Sequence, residues 1–166
     1  MRANVLVPVV AGALLITAAD AGAATATTTF NVSAQVAANC LVSADDIDFG
    51  SYDGTAALTA DGAVKVRCSN GLPFTIALSA GGGSFTQRLL TDGTNDLEYN
   101  LYTAASFGTV WGDGTGTTVT VGDVGEGMSA TKELTHTVYG QLVNSAANQD
   151  APAGSYSDLI TVTVTY

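Results

Sequence analysis

Positive charge is scarce in this chain: 5 lysines and arginines stand against 15 aspartates and glutamates. Nucleic acid and anionic membranes are bound by neutralising phosphate with Lys and Arg, so a net charge of −10 argues against both as partners. Histidine occurs once, at His136, inside the strand-like pattern Leu134-Thr135-His136-Thr137-Val138. A single imidazole with no partner motif reads as a satisfied strand residue, not a general base. No G-x-S-x-G elbow, phosphate-binding glycine loop or H-E-x-x-H is present. There is one tryptophan and no 3.6-residue apolar period long enough for a substantial helix. Together these gaps point away from an enzyme and away from any cofactor or metal.

What is present begins with a leader. Arg2 precedes an apolar run from Val5 to Ala19, too short to span a bilayer comfortably, and Ala21-Gly22-Ala23 supplies a small-residue cleavage site. Residues 1–23 are therefore expected to be a secretory signal peptide, and their removal leaves 143 residues with the net charge still at −10. That suffices for one domain with its own core. Export implies an oxidising compartment, in which the only two cysteines, Cys40 and Cys68, are expected to bridge.

From Thr27 onward, Thr, Val, Tyr, Phe and Ile recur in short runs punctuated by Gly, Asn, Asp and Ser, the pattern of an all-β chain. Strands are expected at Thr29–Ala37, Ile47–Tyr52, Ala63–Cys68, Phe74–Ala80, Leu97–Thr103, Thr117–Val121, Lys132–Val143 and Ser157–Tyr166. Eight short strands in one domain suit an immunoglobulin-like β-sandwich. The two ends stand out. Phe30, Val32, Ala34 and Val36 alternate with Asn31, Ser33, Gln35 and Ala37 directly after the leader. At the other end Ile160, Val162, Val164 and Tyr166 alternate with Thr161, Thr163 and Thr165, so the given sequence stops inside a strand.

Other residues admit two readings. Asp45-Asp46-Ile47-Asp48 and Asp92-Gly93-Thr94-Asn95-Asp96 offer oxygens to calcium, but the second lacks the spacing of an EF-hand loop, and turn formation explains both groups. Trp111 is either a core residue or a sugar-stacking one.

In order along the chain, the alternating arm before Cys40, Asp48-Phe49-Gly50-Ser51-Tyr52, Cys68, Thr86-Gln87-Arg88-Leu89-Leu90, Leu97-Glu98-Tyr99-Asn100-Leu101-Tyr102-Thr103, Trp111-Gly112-Asp113-Gly114 and Pro152-Ala153-Gly154-Ser155-Tyr156-Ser157-Asp158 form a set. This set resembles the spore coat protein U family, which includes subunits of archaic chaperone–usher pili. Thr103-Ala104-Ala105 departs from relatives that often carry charge there. The resemblance implies an incomplete immunoglobulin-like (pilin-type) sandwich completed by a donor strand. A periplasmic chaperone lends that strand first; an outer-membrane usher then passes the subunit to a fibre, where the next subunit's N-terminal arm takes over. On that basis residues 24–39 are the donor arm, with Phe30, Val32, Ala34 and Val36 as its inserting side chains, and 40–166 the pilin domain. Ile160, Val162, Val164 and Tyr166 are expected to line the acceptor groove. The competing readings are a surface coat protein of the same fold that forms no pili, and a monomeric periplasmic carbohydrate-binding β-sandwich.

Overall fold

The computed structural model describes residues 22–166, so the expected signal peptide lies almost wholly outside the described residues. The chain divides into a unit ending at Gln35 and a second unit, Val36–Tyr166. In the first, residues 22–35 form no strand or helix and are exposed throughout. The strand expected over Thr29–Ala37 is thus not formed. A segment without a ladder of backbone hydrogen bonds is not held as a strand, whatever its alternation.

The second unit contains eight strands: β1 (Cys40–Ala44), β2 (Leu58–Cys68), β3 (Pro73–Leu78), β4 (Arg88–Thr91), β5 (Asp96–Tyr102), β6 (Val121–Val124), β7 (Leu134–Leu142) and β8 (Val162–Thr165). A 3-10 turn (Ala130–Lys132) precedes β7, and a single helical turn, α1 (Ala146–Gln149), follows it. The strands make two antiparallel sheets, ordered β1-β2-β7-β5-β4 and β6-β3-β8.

The period of two decides which side chains meet between the sheets. Val64, Val66 and Cys68 of β2 point inward, while Lys65 and Arg67 lie on its outer face in ion pairs with Asp45 and Glu133. Phe74, Ile76 and Leu78 of β3 face them, with Leu97, Tyr99 and Leu101 of β5 and Val138 and Leu142 of β7 completing the core. Each such side chain contributes about 1.5–3 kcal/mol on burial. Trp111 belongs to this core: it is 1% exposed, and its Nε1–H donates to the Ile76 carbonyl at 3.0 Å. That excludes it from stacking on a sugar at the surface. Cys40 and Cys68 face each other across β1 and β2 and are disulfide-bonded.

Several elements depart from the sequence expectation: of Thr117–Val121 only the last residue joins a strand, β6 running on to Val124, and β1 and β4 lie where no strand was expected. Ile47–Tyr52 forms no strand. The β1–β2 ladder ends where Asp45 N–H donates to Ala63 O at 2.8 Å, and the following segment leaves the sheet edge. Ile47 and Phe49 drop instead over Gly62 and Gly140, where an added Cβ would come within 2.6 Å of Ile47 and 3.0 Å of Phe49. The C-terminal strand is also shorter than Ser157–Tyr166. Ser157 exchanges backbone hydrogen bonds with Thr91 of β4, in one sheet, whereas Thr161 accepts from Ser79 N–H beside the other. The chain changes sheets between them, so a continuous ladder is impossible there.

Candidate functional site: an interstrand groove

β1 and β8 are the edges of their respective sheets, each with a strand on one side only. In an antiparallel pair the backbone groups point alternately toward and away from the partner. Thr161 bonds Ser79, so Thr163 and Thr165 of β8 share its orientation, and the N–H and C=O groups of Val162 and Val164 point away from β3. By the same alternation Asp45 faces β2, whereas Val42 and Ala44 present their backbone groups to the open side of β1. These are unfilled templates for an added strand.

Between these edges lies a groove of ≈ 930 Å³. Its floor is core: Val64, Leu78, Leu97, Leu101, Val138 and Leu142 all contribute. One wall runs from Ala44 to Gly54, the other from Ala151 to Val162. The first wall is held by Ile47 and Phe49 seated over the two glycines, and by the Tyr52 hydroxyl donating to Asn144 Oδ1. The second is held by Asp158, whose carboxylate accepts from Gly82 N–H at 2.9 Å, Leu159 N–H at 2.7 Å and the Tyr99 hydroxyl at 2.7 Å. Burial, reinforced by Asp158, pushes the Tyr99 phenol far above its ordinary range, so it remains a donor.

Ile160 and Val162 line the groove half-buried, and Val164 packs on the core just outside it. Tyr166 is 56% exposed and lies outside the lining. At the other terminus Phe30, Val32, Ala34 and Val36 are all exposed, with Phe30 and Val32 at 85% and Val36 at 90%. Sequence reasoning did not single out Ile47, Phe49, Asp158 or Leu159 as groove residues. Leu159 is 85% exposed beside the opening. The alternation of Ile47 and Phe49 with Asp46 and Asp48 was the available signal, but it reads equally well as a strand.

The acidic segments are engaged locally. Asp53 accepts from the Thr55 hydroxyl and amide, and Asp92 from Asn95 and Thr94; both carboxyls are held below their ordinary value by these bonds. Among the described residues no group of three or more His, Cys, Asp or Glu side chains could hold a metal ion. His136 is largely buried on β7 with its ring nearly perpendicular to that of Phe74, and its Nε2 lies 3.7 Å from Asp123.

A family model for the Spore Coat Protein U domain matches residues 26–163, most of the chain. The chain belongs to the spore coat protein U domain family. Membership makes it a structural protein and not an enzyme. No curated protein matches it. Among solved structures, this spore coat protein U domain is similar to a chain of the CsuC–CsuE chaperone–tip adhesion subunit pre-assembly complex from the archaic chaperone–usher Csu pili of Acinetobacter baumannii. The match has 24% identity and a TM-score of 0.55, and it covers 79% of this chain but 40% of the other. The likeness is one of fold, and it confirms the immunoglobulin-like sandwich of pilin type.

Proposed function

We propose that this spore coat protein U domain is a structural subunit of an extracellular fibre, exported through the periplasm and polymerised by donor-strand exchange. The observation that carries the reading is the apolar groove between two one-sided edge strands, in a chain whose N-terminal stretch is exposed, outside any strand or helix, and alternately apolar. A strand laid between β1 and β8 would pair with the free backbone groups and cover the floor with every second side chain, which is β-augmentation. In this reading residues 1–23 are removed, 24–39 act as the arm, and 40–166 form the body. Phe30, Val32, Ala34 and Val36 of one copy insert beside Ile160 and Val162 of the next, while Val164 and Tyr166 receive the end of the strand.

Burying four such side chains gives on the order of 5–8 kcal/mol gross, and each ladder hydrogen bond adds about 0.5–1.5 kcal/mol net. Because arm and groove lie on different parts of each copy, the contact is head-to-tail and extends into a filament. A free subunit exposes the groove as an aggregation hazard. A periplasmic chaperone that fills it and an outer-membrane usher that exchanges the occupant are the partners this implies.

Deleting Thr27–Val36 tests the assignment. The expected product is a folded subunit that is retained by the chaperone and never polymerises, read by electron microscopy and size exclusion. Fibres from the deletion variant would sink the proposal. A full-length chain that stays monomeric at high concentration, without its chaperone and with its own arm in the groove, would favour the solitary sandwich.

A further inference from the structure

The groove's charge is as one-sided as its shape. Five aspartates line it, at positions 45, 46, 48, 53 and 158, and no Lys, Arg or His does. Two are compensated: Asp45 is 2.7 Å from Lys65 Nζ, and Asp158 accepts three hydrogen bonds. Asp46, Asp48 and Asp53 are exposed on one wall, and none of them forms an ion pair among the described residues. Asp48 and Asp53 accept only neutral donors, from Gly50 and Thr55, which leaves their negative charge in place. The arm is the opposite in kind. From Ala24 to Asn39 it contains no charged side chain, in a chain with a net charge of −10. Of the four edge strands of a neighbouring copy, β6 carries Asp123, whereas β1, β4 and β8 carry no acidic residue.

We propose that the carboxylates of Asp46, Asp48 and Asp53 filter the groove's occupant by charge, rejecting acidic strands and admitting the uncharged arm of a second copy. This rests on the donor-strand reading above and adds to it the selection rule. Like charges set beside an extended strand disfavour its docking, with a range of about 10 Å at 0.1 M salt.

The experiment uses the full mature chain and three synthetic peptides spanning residues 27–38. One is native, one carries Asn31→Lys with Gln35→Lys, and one carries Asn31→Glu with Gln35→Glu; all keep the apolar face. Binding is read by fluorescence anisotropy and by inhibition of assembly. At low salt the lysine peptide should bind roughly tenfold more tightly than the glutamate peptide, with the native between them. The spread should fall below about twofold near 0.5 M salt. In a chain with Asp46→Asn, Asp48→Asn and Asp53→Asn, which keeps the turn-forming Oδ1 acceptors, the glutamate peptide should approach the native one. Equal binding of all three peptides to the wild-type chain at low salt would overturn the filter while leaving donor-strand insertion intact. Failure of every peptide to bind would overturn both.

Discussion

Arg88 is a buried cation that forms no ion pair with a carboxylate among the described residues. It is fully buried on β4 and donates to the carbonyls of Ser79 and Trp111 and to Asn100 Oδ1. Three elements therefore converge on one planar group, which suits the fixed fork of a guanidinium and not the point charge of lysine. Burial lowers its pKa but does not discharge it. Replacing Arg88 with Met leaves several buried acceptors without a donor, each costing about 1–3 kcal/mol, so a loss of roughly 3 kcal/mol or more is expected in denaturant unfolding. Arg88→Lys should recover only part of it. Asp158→Ala should cost about 1–2 kcal/mol and loosen the second groove wall, which hydrogen exchange at Gly82 and Leu159 would report.

The titrating residues set the pH range of the fold. Asp53, Asp92 and Asp113 are held below the ordinary carboxylate value of 3.8 by hydrogen bonds from Thr55, Asn95 and Thr115. Their ionised form is favoured in the fold, so the stability they contribute is present above about pH 4 and is lost as pH falls through their lowered values. Tyr99 and Tyr102 are raised above 10.0 by burial, and Lys65 above 10.5 by its hydrogen bond to Asp45. Their contribution is complete below about pH 10 and disappears as pH rises further. Thermal melts followed by circular dichroism should show a plateau between these limits with a fall on both sides.

At the level of elements, the wall from Ala44 to Gly54 depends on what lies beneath it. Gly62→Ala places a methyl 2.6 Å from Ile47 Cγ1 and 3.0 Å from the Asp45 carbonyl, and Gly140→Ala meets Ala60 O at 2.9 Å and Phe49 at 3.0 Å. Both oblige the wall to shift, at a cost of about 1–3 kcal/mol. If the groove is the assembly site, Gly140→Ala should slow polymerisation more than its loss of stability accounts for. The disulfide acts on the same wall from the other end. Cys40 anchors β1 to β2 across a sequence separation of 28, and closing such a loop restricts the unfolded chain by about 3–4 kcal/mol. A Cys40→Ser, Cys68→Ser chain should melt at lower temperature and fray first along β1.

At the scale of the whole molecule, the sandwich has a full core yet leaves two edges facing a groove, and a net charge of −10 opposes casual contact between copies. If the arm connects the copies as proposed, assembly should be accelerated by moderate salt, which screens repulsion between bodies without weakening apolar insertion. Light scattering at increasing ionic strength would show this, and inhibition by salt would count against an apolar arm as the connector.

The amino-acid sequence by itself determined the all-β class, because alternation in runs such as Ala63–Cys68 and Phe74–Ala80 admits a half-buried strand and little else. It also determined the pairing of the only two cysteines. Only the tertiary structure decided that Ile47–Tyr52 is a groove wall and not a strand, since its period of two is the same in either role and the choice depends on Gly62 and Gly140, distant in sequence. Likewise Ile160 and Val162 line the groove while Tyr166, in the same alternating series, is exposed beyond it. Period fixes the face a side chain shares, but where the opposite sheet ends is a matter of three-dimensional packing.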